Sequence, residues 1–102
     1  MKSFRTYELA YELYEKCQQI KPKSAELRDQ FERASLSILL NIAEGSGKLT
    51  SKDRRKIYAT AMGSLRETQA LLKILKEREA YNLSDRLGAN LYKLIQNPGH
   101  WP

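Results

Sequence analysis

Five cations, Lys48, Lys52, Arg54, Arg55 and Lys56, fall within nine residues of this chain, opposed there only by Asp53. Residues 1–47 hold equal numbers of basic and acidic side chains and residues 57–102 contribute +2, so most of the net charge of +6 lies in this one segment. Gly45-Ser46-Gly47 precedes the segment, and Thr50 with Asp53 three residues later reads as a capping-box-like helix start. Free N–H groups at a helix start favour anions, and clustered cations add to that field. The spacing therefore predicts a phosphate-attracting turn whose nucleic-acid-binding residues are Lys48, Lys52, Arg54, Arg55 and Lys56. The competing reading is a solvated helix start that keeps a basic chain in solution.

Other chemistry is poorly supplied. There is one histidine, His100, near the C-terminus and one cysteine, Cys17, so a Cys/His metal site has too few ligands and Cys-His or Ser-His catalysis lacks its partners. Glu44 and Glu67 could be taken for paired carboxylates, but carboxylates alone are not a reaction centre. The sequence predicts no enzyme, no metal and no cofactor. Tyr7, Tyr11 and Tyr14 could stack nucleobases. Their spacing is that of a helical seam, however, and Glu8, Glu12 and Glu15 beside them repel phosphate, so they read as interface packing. Ser37, Asn41 and Glu44 follow each other at three or four residues and could bind a ligand, but read better as polar groups satisfied between helices.

The elements that position these residues are helical. With 15 Leu, 9 Ala and no Val in 102 residues, helix formers dominate over strand formers, and the length suits one domain, residues 1–102. Proline occurs only at 22, 98 and 102. Four helices are expected, over about 3–20, 24–45, 51–79 and 83–96. Pro22 stops the first, Ser24 caps the second, and Gly45 or Gly47 ends it in a left-handed conformation. Asn82 or Ser84 caps the fourth, and Asn97-Pro98-Gly99 ends it before a tail of His100-Trp101-Pro102. Gly63, inside the third helix, costs about 1 kcal/mol relative to alanine, which a close helix approach would offset. No run of about 18 apolar residues and no charged-then-apolar leader is present, so the chain reads as cytoplasmic without a membrane span.

Placed on helical wheels, the third helix has one apolar arc through Tyr58, Ala61, Leu65 and Leu72. The second has two. Leu27, Phe31, Ala34, Ile38 and Ile42 line one face, whereas Leu36, Leu39, Leu40 and Ala43 line nearly the opposite one. The first helix likewise divides between Leu9, Leu13, Cys17 and Ile20 and the half carrying Phe4, Tyr7, Tyr11 and Tyr14. A four-helix bundle has one interior, so these second faces predict a homo-oligomer with Leu36, Leu39, Leu40, Tyr7, Tyr11 and Tyr14 at its interface.

The run Leu27, Gln30, Arg33-Ala34, Ser37-Ile38 and Asn41-Ile42-Ala43-Glu44-Gly45, followed by Gly47-Lys48, Ser51-Lys52-Asp53 and Gly63-Ser64-Leu65 with Glu67, resembles a known family. It is similar to the bacterial four-helix-bundle proteins encoded in intervening sequences of 23S ribosomal RNA genes. That family resembles in fold the accessory variability determinants of diversity-generating retroelements, pentameric barrels that associate with a reverse transcriptase and with nucleic acid. The resemblance implies an all-α, antiparallel up-down four-helix bundle assembled as a ring, five subunits in number, and supplies no catalytic residues. Tyr7 stands roughly where a tryptophan is common in the family, and Lys21-Pro22-Lys23 replaces a longer linker. The expected function is non-catalytic binding of RNA by the basic turn, as an accessory factor to ribosomal RNA or a reverse transcriptase. The alternative is a protein-interaction scaffold that does not touch nucleic acid.

Overall fold

The computed structural model describes residues 2–99, which form four helices: α1 (Lys2–Gln18), α2 (Ala25–Ser46), α3 (Ser51–Ile74) and α4 (Arg78–Gln96). The expected tail of His100-Trp101-Pro102 lies outside the described residues. Each helix packs on two others in the order α1–α2–α3–α4–α1, which closes the bundle around one core. No helix among the described residues is long and apolar enough to cross a membrane.

The first turn is tied by an arginine. The residue before a proline disfavours helix, so α1 stops short of Pro22, and Arg28 Nη1 reaches back from α2 to the carbonyls of Pro22 (2.8 Å) and Lys23 (3.1 Å). Ser24 Oγ caps α2 by accepting from the Leu27 N–H at 3.3 Å. At the other end of α2 the glycines do not act as expected. Gly47 sits at φ −88°, ordinary right-handed backbone, and Gly45 lies inside the helix.

Gly45 is needed for space. A Cβ there would lie 2.7 and 2.9 Å from two carbons of the Tyr58 ring. That ring is fully buried, and its hydroxyl meets Ser46 Oγ at 3.1 Å. Gly63 is the reverse case: a Cβ added to it meets nothing within 4 Å. The expected close approach at Gly63 is therefore absent within the chain.

Helix α3 ends five residues earlier than its periodicity suggests. Lys76 adopts φ 59°, its N–H bonds to the Lys73 carbonyl at 3.1 Å, and the Glu77 N–H bonds to the Leu72 carbonyl at 2.9 Å. This is a Schellman ending, with lysine in the left-handed position usually given to glycine. Helix α4 then starts at Arg78, after Glu77, which makes no side-chain cap, so neither Asn82 nor Ser84 is a cap. Ser84 is buried instead: it donates to the Tyr81 carbonyl at 2.6 Å and accepts from Gln69 Nε2 at 3.0 Å, joining α4 to α3. Lys16 Nζ and Glu79 Oε1 pair across α1 and α4. Their hydrogen bond, reinforced by attraction of opposite charges, raises the lysine pKa and lowers the glutamate one. At the surface such a pair stabilises little.

The core takes Leu9 and Leu13 from α1, Ile38 and Ile42 from α2, Tyr58, Leu65 and Leu72 from α3, and Leu87 and Leu91 from α4. Each aliphatic side chain so buried contributes about 1.5–3 kcal/mol. Leu39 belongs to this core at 7% exposure, which corrects its expected place on the outer face of α2. Leu36 is half-buried and Leu40 exposed. Tyr7 and Tyr14 pack partly against the core, while Tyr11 remains 47% exposed.

Two identical substitutions should act with opposite sign. Gly45→Ala forces a methyl into the Tyr58 ring and should destabilise by about 1–3 kcal/mol. Gly63→Ala, in open space within a helix, should stabilise by about 0.5–1 kcal/mol. Urea denaturation midpoints of the two variants and the parent check both signs.

Candidate nucleic-acid interface

The basic segment occupies the α2–α3 turn and the first turns of α3. Thr50 is extended (φ −111°, ψ 152°), and its Oγ1 accepts the Asp53 N–H at 3.1 Å, so α3 begins where the capping pattern puts it. Side chains from here on follow the helical screw and part company. Lys52, Arg55 and Lys56 are exposed, whereas Arg54 turns inward at 9% exposure.

Arg54 is committed to backbone. Its Nε donates to the Lys48 carbonyl at 2.8 Å and its Nη1 to the Pro98 carbonyl at 3.3 Å. Ser51 Oγ donates to the Gly99 carbonyl at 2.8 Å, with Gly99 at φ 73°. Arg55 lies across the end of α4, its Nε on the Ile95 carbonyl at 2.8 Å and its Nη2 near the Gln96 carbonyl at 3.5 Å. Carbonyls at a helix C-terminus lack intrahelical partners and carry partial negative charge, so guanidinium groups satisfy them well. Arg54 is thus a clasp joining the α2–α3 turn to the end of α4, which corrects its expected role as a phosphate contact. Arg55 is both clasp and exposed cation.

The lysines differ. Lys48 is half-buried and lies 3.6 Å from Glu44, one helical turn before it, as a loose surface pair. Lys52 and Lys56 project into solvent. The exposed cationic surface is therefore Lys52, Arg55 and Lys56, with Lys48 at its edge, over the positive pole of α3. Such a surface attracts phosphate oxygens without needing any residue to titrate.

Ser37 and Asn41 do structural work, as their spacing suggests. Ser37 Oγ meets Ser64 Oγ at 2.8 Å across α2 and α3, and Asn41 Nδ2 donates to the Ser37 carbonyl and hydroxyl at 2.8 and 3.0 Å. Burial pushes the Cys17 thiol up to about 12, so it is not a reactive thiolate at neutral pH. Among the described residues no group of three or more His, Cys, Asp or Glu could hold a metal ion.

Two surface features escaped the sequence reading. Lys73, Lys76 and Arg78, with Glu77 among them, form a second, net basic cluster beside half-buried Tyr81, at the α3–α4 turn. Tyr92 is 56% exposed on α4, with its hydroxyl held by Gln96 Nε2 at 3.1 Å. The first arises because the helix break at Lys76 has no glycine or proline to mark it. The second was legible as a lone aromatic outside the apolar stripe of α4.

Arg54→Gln should destabilise the fold by about 1–3 kcal/mol, because buried carbonyls lose a charged donor. Amide hydrogen exchange at the end of α4 should quicken in that variant, whereas Lys52→Gln should leave both exchange and stability within about 0.5 kcal/mol of the parent.

No curated protein and no solved structure matches the chain. The family model described as 23S rRNA-intervening sequence protein, by contrast, matches residues 2–97, which include all four helices and the basic turn. A match over that span leaves no element outside it, and the chain belongs to the 23S rRNA-intervening sequence protein family.

Proposed function

We propose that this protein is a non-catalytic, homo-oligomeric helical bundle that binds RNA through the exposed cations of its α2–α3 turn. The observation that carries the reading is the arrangement of Lys52, Arg55 and Lys56, which face solvent together over the start of α3. Membership of a family named for an intervening sequence of ribosomal RNA agrees with an RNA-related role. Arg54 is left out of the contact set because its guanidinium serves the Lys48 and Pro98 carbonyls.

The pairings Lys16–Glu79, Ser37–Ser64, Arg55–Ile95 and Gln69–Ser84 support an antiparallel up-down order for the neighbouring helices. Assembly is supported by apolar side chains left in water on α1 and α2. Phe4 and Leu40 are 61% and 57% exposed, and Phe4 and Tyr7 share a groove with Ala43. A ring of five subunits is what the resemblance in sequence implies. Such a ring repeats the basic turn in every subunit, and repeated weak sites hold a polyanion more strongly than one. The same apolar face favours a second reading, a scaffold that recruits a protein such as a reverse transcriptase without direct RNA contact.

Fluorescence anisotropy with labelled structured RNA at several salt concentrations tests the first reading. Binding should weaken steeply with salt, and replacing Lys48, Lys52 and Lys56 by glutamine should weaken it further while lowering the log–log salt slope by roughly one per lost contact. Unchanged affinity and slope would remove the turn from the interface. Partner capture insensitive to nuclease and salt would favour the scaffold.

Leu40→Glu tests assembly. A charge at a covered apolar face should yield a smaller particle by light scattering, at unchanged helicity, and an unchanged mass would remove this face from the subunit contact.

A further inference from the structure

We propose that Tyr92 is a stacking platform for a nucleobase of single-stranded RNA, set beside the cations that take the phosphates. The proposal rests on the RNA reading above and specifies the kind of strand and the residue that holds its base.

Helix α4 buries Leu87, Gly88, Leu91 and Leu94 against the bundle, yet Tyr92, between two of these, stands 56% exposed. Exposed aromatics occur on α1 as well, but Phe4 and Tyr11 share a groove with Glu8, Glu12 and Glu15 against the single cation Arg5, a net negative setting that repels a phosphate chain. The residues one turn from Tyr92 on α4 are Gly88, Ala89, Ile95 and Gln96, and none is acidic.

A cation is fixed next to it. Arg55 Nε bonds to the Ile95 carbonyl at 2.8 Å, one turn beyond Tyr92, so the guanidinium rests on the same stretch of α4. Of its five N–H donors these backbone contacts take two, and the remainder are available to phosphate oxygens. Gln96 Nε2 donates to Tyr92 Oη at 3.1 Å and steadies the far end of the ring. One turn before Tyr92 on its own helix stand Gly88 and Ala89, the smallest side chains available, which leaves room for a base. Lys52 and Lys56 continue the cationic path along α3.

Bases are accessible to such a platform only where they are unstacked, so the partner is a single strand or loop rather than a duplex. A stacked base and neighbouring cations divide the strand's own chemistry between them, base on ring and phosphate on guanidinium and ammonium.

The test uses the full chain with a labelled uridine dodecamer and an RNA duplex of the same length. Tyr92→Ala should bind the single strand on the order of tenfold more weakly, Tyr92→Phe should bind it as the parent does, and duplex affinity should be unchanged in both. A 2-aminopurine placed in the dodecamer should be quenched on binding to the parent and less so to Tyr92→Leu. Equal losses on both RNAs, or no loss on either, would overturn the proposal, as would a change of particle mass in Tyr92→Ala, which would make the residue a subunit contact. If the parent binds neither RNA, the basic-turn reading itself fails, a result distinct from binding that ignores Tyr92.

Discussion

The contact between the Tyr58 ring and the bare backbone of Gly45 governs how closely α2 and α3 approach. No other residue at position 45 leaves room for that ring where it lies. The fully buried ring fills the core near the end of α2, and its hydroxyl finds Ser46, so a large amphipathic side chain is accommodated without an unsatisfied polar atom. The contact lies near the end of α2, close to where the chain turns into α3.

Within that turn, arginine and lysine are used differently. Guanidinium groups present a planar fork of donors, and Arg54 and Arg55 use it to bind main-chain carbonyls of the turn and of the α4 end. Ammonium groups are compact and strongly hydrated, and Lys52 and Lys56 remain in water. A run that looks uniform in charge is therefore divided by geometry into groups that close the bundle and groups that face outward. The field around the turn is the sum of both, since a cation bonded to carbonyls keeps its charge.

Local pattern was enough to read much of this. The 3.6-residue period placed Leu9, Leu13 and Cys17, and likewise Tyr58, Ala61, Leu65 and Leu72, on faces that are buried. Ser24 and Thr50 cap the helices their positions suggest. What escaped depends on neighbours distant in the chain or on unusual backbone. Arg54 reads as a surface cation in the sequence because its partner at Pro98 lies 44 residues away. Leu39 falls on the outer face of α2 on a helical wheel, which does not show how wide a stripe the neighbouring helices cover. The end of α3 is hidden in the sequence because Lys76 occupies a left-handed position that favours glycine, so the break carries no compositional mark.

The ring of helix contacts has a kinetic side. Three of the four packed pairs, α1–α2, α2–α3 and α3–α4, join helices adjacent in the chain across short turns, and only α1–α4 closes a long loop. Loop closure is entropically unfavourable, so short-range pairs form early and lower the search that the long-range pair requires. Folding is thus expected to proceed outward from helix pairs adjacent in the chain, with the docking of α1 on α4 as the late event. Destabilising the α1–α4 seam would then speed unfolding more than it slows folding.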